Sequence, residues 1–246
     1  MNSLILRTIQ DAWVGLHQNF CFISATRSTV DEFWRLSPLG RSLGPLLSSN
    51  KKIRADIAFE NTEALPTIYN NAIHNASKNE ILIFLHDDVW LIDSKLTTKV
   101  TQGLNHFDII GIAGNTRRMP YQPAWIFSHI ENNQCIRDTE NWSGAIRHGT
   151  LDDNYLDDFG PTPSFCELLD GVFLATRKNT LTKQAIHFDP QFSFDFYDMD
   201  FCRLARSKQL SLGTWPIDII HQSHGLFGGD GRWSKMYGLY LEKWGS

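Results

Sequence analysis

Along the chain, short dense apolar runs alternate with polar, glycine-containing breaks. Three runs, "FCFISA" (20 to 25), "ILIFLH" (81 to 86) and "DIIGIAG" (108 to 114), are rich in β-branched or aromatic residues and end in small or polar ones. Continuous runs of this kind predict strands covered on both faces, as in a parallel sheet. A fourth, "KIRADIAFEN" (52 to 61), alternates enough for a strand near an edge. Between it and "ILIFLH" lies "TEALPTIYNNAIHNASKN", whose Leu65, Ile68, Ala72 and Ile73 recur at helical spacing, with Pro66 suited to a first turn. Strand, helix and strand in that order imply right-handed crossovers and an open, mostly parallel sheet. Ligands of such sheets sit beyond the carboxyl ends of the strands. That rule puts "HDD" (86 to 88) at the ligand edge.

From 115 to 165 the periodicity weakens, and Pro, Gly, Asn, aromatics and the acidic run "LDDNYLDDFG" predict long irregular connections over the site. Regularity returns with "ELLDGVFLATRK" (167 to 178), a strand. In "DMDFCRLARSKQ" (198 to 209), Met199, Cys202, Leu204 and Ala205 form the inward face of a helix, and "LSLGTWPIDIIH" (210 to 221) reads as extended. No internal repeat or low-complexity linker appears. One α/β domain over 1 to 246 is expected, with 222 to 246 as a flexible flap and a C-terminal helix.

Composition narrows the function classes. With 42% hydrophobic and 20% charged residues the chain reads as an ordinary globular domain. A formal net charge of −4 and a pI near 6.1 argue against a broad phosphate-neutralising face, so nucleic acid is not an expected partner. No apolar run approaches the ~20 residues that span a bilayer, and the first residues lack the pattern of a signal peptide. A cytoplasmic location is expected. The four cysteines, Cys21, Cys135, Cys166 and Cys202, lack metal-site or disulfide spacing, and Cys21 and Cys202 sit in apolar stretches as small core side chains.

Candidate chemistry concentrates at the acidic strand end. Two adjacent carboxylates, Asp87 and Asp88, repel one another, and a divalent cation relieves that repulsion while bridging the phosphates of a nucleotide. The same residue types also serve as turn or helix-cap groups. Trp125, Trp142 and Trp233 lie in polar or glycine-rich surroundings, either as sugar-stacking surfaces or as ordinary loop packing.

The ordered set "ISATRS", "IAFEN", "YNNAI", "IFLHDDV", "ELLDGVFLATRK", "FDFYDMDFCRLAR" and "IIHQSHG" resembles the nucleotide-sugar-dependent glycosyltransferases of the GT-A fold, family 2-like, from about residue 20 to 225. The resemblance implies an α/β, Rossmann-like three-layer sandwich. It places Ser24, Ala25 and Thr26 beside the nucleotide and Glu60 at the base, and adds Asn70, with Tyr69 where relatives carry Arg. His86 occupies the first position of the family's Asp-x-Asp, and it and Asp87 are implied at the nucleotide, with Asp87 orienting a metal-bound water or the sugar and Asp88 holding manganese or magnesium. His221 is implied as a second metal ligand, with His224 as the runner-up. Asp170, Gly171 and Trp233 would meet acceptor or donor sugar. Asp198 aligns with the catalytic base, while Asp200 would meet acceptor or instead cap the helix or pair with Arg203 or Arg206.

The implied reaction is inverting transfer from a nucleoside-diphosphate sugar, a UDP-sugar favoured, to a hydroxyl of a glycan, lipid-linked or protein acceptor, with peripheral membrane contact conceivable. The rival readings are a metal-dependent phosphohydrolase or nuclease using Asp87, Asp88, Asp198 and Asp200 around two cations, and a carbohydrate-binding relative without catalysis.

Overall fold

The computed structural model describes residues 18–223 and 231–245. In chain order the first half runs β1 (Phe20–Ala25), α1 (Val30–Leu36), α2 (Pro38–Ser49), β2 (Ile53–Ala58), α3 (Leu65–Asn75), β3 (Ile81–Leu85), β4 (Val89–Leu91), α4 (Leu96–Gly103), β5 (Ile109–Gly111) and β6 (Ala113–Asn115). Then come β7 (Phe127–Glu131), β8 (Gln134–Arg137), β9 (Trp142–Gly149), β10 (Asn154–Gly160), β11 (Ser164–Cys166), β12 (Leu168–Leu169) and β13 (Phe173–Arg177). The remainder is α5 (Lys178–Lys183), α6 (Tyr197–Ser207), β14 (Leu212–Thr214), β15 (Ile219–His221) and α7 (Gly231–Trp244).

The central sheet has the order β11-β14-β5-β13-β3-β1-β2. Its strand β3, "ILIFL", is fully buried, as a continuous apolar run requires, and is parallel to β1, which is in turn parallel to β2. β13 runs antiparallel to both β3 and β5. It does so because the chain enters β13 from the ligand edge, returning from a second sheet of order β12-β6-β9-β15-β4, with β10 on β9. Two apolar runs that read as single strands are each divided between the sheets. Residues 108–114 give β5 and β6, and 167–178 give β12 and β13. The chain therefore crosses between sheets at 86–88, at Ile112, at 170–172 and at 215–218, and these junctions make the ligand edge.

The stretch 115–165 corrects the sequence reading: instead of long irregular connections it forms the β7–β8 and β9–β10 hairpins. The glycines that looked like loop signals are bends within strands. Gly144 sits in β9 at φ +97, and a Cβ there would collide with the Ile112 carbonyl.

Helix α3 buries Leu65, Tyr69, Ala72 and Ile73, and α6 buries Met199, Cys202 and Ala205. They share an aromatic core in which Phe188 stacks on Phe201 at 4.1 Å and meets Tyr69 at 5.1 Å. Among the described residues, no helix is long and apolar enough to cross a membrane.

Candidate active site

The acidic motif occupies the turn between β3 and β4, so its side chains emerge where two sheets meet. β15 pairs antiparallel with β4, and the register sets His221 opposite Val89, next to Asp88. His221 Nε2 lies 3.3 Å from Asp88 Oδ1 and 3.1 Å from Ser223 Oγ. The His86 ring stands 5.7 Å from the His221 ring. One donor atom from each of His86, Asp88 and His221 falls within 4.8 Å of the others. His86, expected at the nucleotide, thus stands with Asp88 and His221 in a group that could hold a metal ion.

Asp88 Oδ1 is buried and takes no properly directed hydrogen bond. A buried carboxylate oxygen in that state is costly, and a cation would give it a further partner. Burial pushes the Asp88 carboxyl up, but His221 and His86 outweigh it and hold the group well below the usual carboxylate range. Burial pushes the His221 imidazole down, and the Asp88 carboxylate more than restores it. His86 is lowered, by burial first and by His221 in addition, against the pull of Asp88. The residues present therefore fit a divalent cation.

A second unit is built on the Asp170-Gly171 turn and the N-terminus of α6. The Tyr197 hydroxyl donates to the Gly171 carbonyl at 3.0 Å and lies 3.1 Å from His86 Nε2. With the phenol proton on the carbonyl, the imidazole is the donor through Nε2, which leaves Nδ1 as its lone-pair atom. The Gly171 amide donates to Asp198 Oδ2 at 3.0 Å, and the Met199 amide donates to Asp198 Oδ1 at 2.8 Å. Asp170 accepts from Trp125 Nε1 and from the Val172 amide, each at 2.7 Å. Asp198 is half-buried, and burial, followed by the charge of Asp170, pushes its carboxyl up to about 7.

Gly171 is needed for this contact, because a Cβ there would collide with the Tyr197 hydroxyl and stand 3.0 Å from Asp198 Cβ. Gly171→Ala is expected to destabilise the fold by about 1–3 kcal/mol through overpacking. Chemical denaturation checks this, and a variant as stable as the wild type would show that the turn yields freely.

The other expected residues divide. Ser24, Ala25 and Thr26 close β1 at the same edge. Ser24 is buried with its hydroxyl unpartnered, and Thr26 is tied through its amide to the Ala58 carbonyl at 2.9 Å. Glu60 is exposed at φ +48, and Asp87 is half-buried with no donor on its carboxylate among the described residues.

Asn70 is corrected: its amide donates to the Phe188 carbonyl at 2.7 Å and accepts from the Phe188 amide at 2.9 Å, so both its groups are taken up by the fold. Tyr69, at the position where the resemblance implies Arg, fills the core. Asp200 is also corrected. It is fully buried and faces α7, accepting from Trp244 Nε1 at 2.6 Å and pairing with Lys243 Nζ at 2.7 Å. Arg206 instead pairs with Glu167 at 2.8 Å. Trp125 is buried, Trp142 Nε1 donates to the Ile126 carbonyl at 2.9 Å, and Trp233 packs on Tyr237 and Phe196. His224 lies outside the described residues.

Three rim residues had no signal in the sequence. The His148 ring lies 5.7 Å from His221, Tyr155 packs on His148, and the half-exposed Phe194 ring lies 5.6 Å from His86. Two of them come from the β9–β10 hairpin, which reads as loop.

A family model described as a glycosyltransferase-like family matches residues 47–216. Among solved structures, the crystal structure of GalNAc-T7 with UDP, GalNAc and Mn2+ superposes at TM-score 0.52 with 11% identity over 92% of this chain and 48% of that one. This chain thus spans about half the length of that protein, and the likeness is one of fold. The crystal structure of A197 from STIV is similar at TM-score 0.44 and 10% identity, over 87% of this chain and 98% of that chain. No curated protein matches the sequence. Because the family match runs through β2, α3, the His86–Asp88 turn and α6, well over half of the 246 residues, the chain belongs to the glycosyltransferase-like family and carries its GT-A α/β fold.

Proposed function

We propose that the chain is an inverting glycosyltransferase that takes a sugar from a nucleoside-diphosphate donor, a UDP-sugar favoured, and delivers it to a hydroxyl of a glycan, lipid-linked or protein acceptor. The observation that carries this reading is the convergence of His86, Asp88 and His221 within 4.8 Å beside the Tyr197–Asp198 unit. Two imidazoles and one carboxylate suit manganese better than magnesium, which prefers oxygen ligands. Bound there, the cation would neutralise the diphosphate as it departs.

Asp198 is the proposed base. The Gly171 and Met199 amides fix both its oxygens, so the carboxylate is held at the N-terminus of α6 with little freedom. Burial and Asp170 bring its affinity for a proton close to what a base working near neutral pH needs. It would accept the proton of the acceptor hydroxyl as that oxygen attacks the anomeric carbon on the face opposite the departing diphosphate, a single displacement that inverts the centre. Asp170 would act through position, its charge raising Asp198 while Trp125 holds it in place.

The two-cation phosphohydrolase reading loses Asp200, which α7 sequesters. A thermal-shift screen tests the proposal. UDP with manganese should raise the melting temperature by about 5–10 °C at a hundredfold ligand excess over Kd, and UDP with magnesium by less. No metal-dependent response to any nucleoside diphosphate would refute it, and a response to purine nucleotides only would refute the preference for UDP. Binding without turnover would favour the carbohydrate-binding relative.

A further inference from the structure

At the far end of α6 from Asp198, a cavity of about 200 Å³ is lined by Arg118, Glu167, Arg203, Arg206, Ser207 and Trp244. Three arginines against one glutamate leave this lining two positive charges in excess, within a chain of formal net charge −4. The charges are unequally satisfied. Arg206 is neutralised by a two-bond pair with Glu167, at 2.8 and 3.0 Å. Among the described residues Arg203 pairs with no carboxylate: it stacks over Trp244 at 4.7 Å and makes long contacts of 3.4 Å, to the Tyr240 hydroxyl and the Trp244 carbonyl.

Arg118 has still less, because its Nη1 is buried without a hydrogen bond and no other acceptor takes a proton from it among the described residues. Its neighbour Arg117 shows the contrast, with both arms of its guanidinium on Asp138. A buried guanidinium N–H without an acceptor is costly, and fork-shaped guanidinium groups match the oxygens of phosphate and sulfate. An arginine in the last turn of a helix also complements its dipole. That accounts for Arg206, but not for Arg203, which lies mid-helix, nor for Arg118, which comes from the segment after β6.

We propose that this cavity is a binding site for a phosphate or sulfate monoester group, held between Arg118 and Arg203, with the exposed Ser207, whose hydroxyl donates to the Leu204 carbonyl, at its rim. It is smaller than the ~300–1,000 Å³ of pockets that enclose whole small ligands, so it suits one charged group whose carrier extends outward. The site is separate from the ligating cluster. Arg206 lies eight residues along α6 from Asp198, about 12 Å at the rise of an α-helix.

The test uses the whole chain in metal-free buffer, with chloride matching ionic strength. Inorganic phosphate should raise the melting temperature saturably. Arg118→Gln should move the half-saturation point to at least ~10-fold higher phosphate, the loss of a charge-assisted donor. Ser207→Glu, an exposed change that sets a negative charge at the rim, should abolish the response and guards against misfolding of the Arg118 variant. Both variants should keep the manganese-dependent response to UDP, so failure here is distinguishable from failure of the proposed transferase.

Vesicles of phosphatidylcholine with and without phosphatidic acid identify the source of the group. Retention of the wild type but not of Arg118→Gln on the acidic vesicles assigns a lipid headgroup, and phosphate binding without retention assigns a soluble phosphate. No saturable rise with phosphate together with no such retention, or equal responses in wild type and both variants, overturns the site.

Discussion

Asp198→Asn will lower turnover by about 10²- to 10⁴-fold, the usual cost of losing a general base, while the metal-dependent response to UDP is retained. The amide cannot accept the acceptor proton, yet it fills almost the same space and keeps one of the two backbone donors that hold Asp198. In the wild type, activity should rise as pH increases through about 7, where Asp198 loses its proton, and this limb should vanish in the variant.

Stability provides an independent readout with a definite sign. The folded-state value is raised far above the ~3.9 of a free aspartate, so the native state favours the neutral acid. The contribution of Asp198 to wild-type stability therefore falls as pH climbs from about 4 to about 7 and is lowest above that window. Asp198→Asn has no such loss, so its melting temperature should gain on the wild type across the same interval. The full shift corresponds to an upper limit of about 4 kcal/mol, and the partial exposure of the group together with the donor that Asn leaves unsatisfied reduces it. Asp200→Asn is the companion. It should keep turnover and lose about 1–3 kcal/mol of stability, because it weakens the buried contacts to Lys243 and Trp244. A nearly active Asp198→Asn beside an inactive Asp200→Asn would reverse these roles.

What the sequence revealed was local. "ILIFL" is a buried strand because every residue of it is apolar, and "HDD" follows at its carboxyl end by the rule of open sheets. α3 and α6 were legible from helical spacing. What stayed hidden depended on pairings between distant parts of the chain. His86 and Asp88 reach His221 only because β4 and β15 pair across some 130 intervening positions, and a motif scan assigns no register. Asn70 is a residue that the resemblance placed at the nucleotide, but Phe188, far downstream, takes up its amide. The glycines of 115–165 carried the loop signature and were strand bends, since positive φ serves both. Asp200 looked like a helix-terminal acid free to meet an arginine. That α7 would cover it could not be read from α6 alone.

The sharpest test of that hidden convergence compares Asp88→Asn with His86→Ala. Asp88→Asn should weaken manganese binding by more than about 100-fold, beyond the loss expected when only a neighbour of a ligand is removed, and the stabilisation by UDP should disappear with it. Without metal its stability should change little. The variant loses the 3.3 Å contact with His221 but also removes a buried carboxylate oxygen that no hydrogen bond satisfies. His86→Ala separates the two readings of that residue. If His86 serves the nucleotide, as the sequence reading expects, manganese binding measured without nucleotide will be unchanged and only the UDP response will weaken. If it ligates the cation through the nitrogen that Tyr197 leaves free, manganese binding without nucleotide will fall by at least ~10-fold. We expect the second outcome. His86→Ala with full manganese affinity would return His86 to the nucleotide and reduce the ligand set to Asp88 and His221.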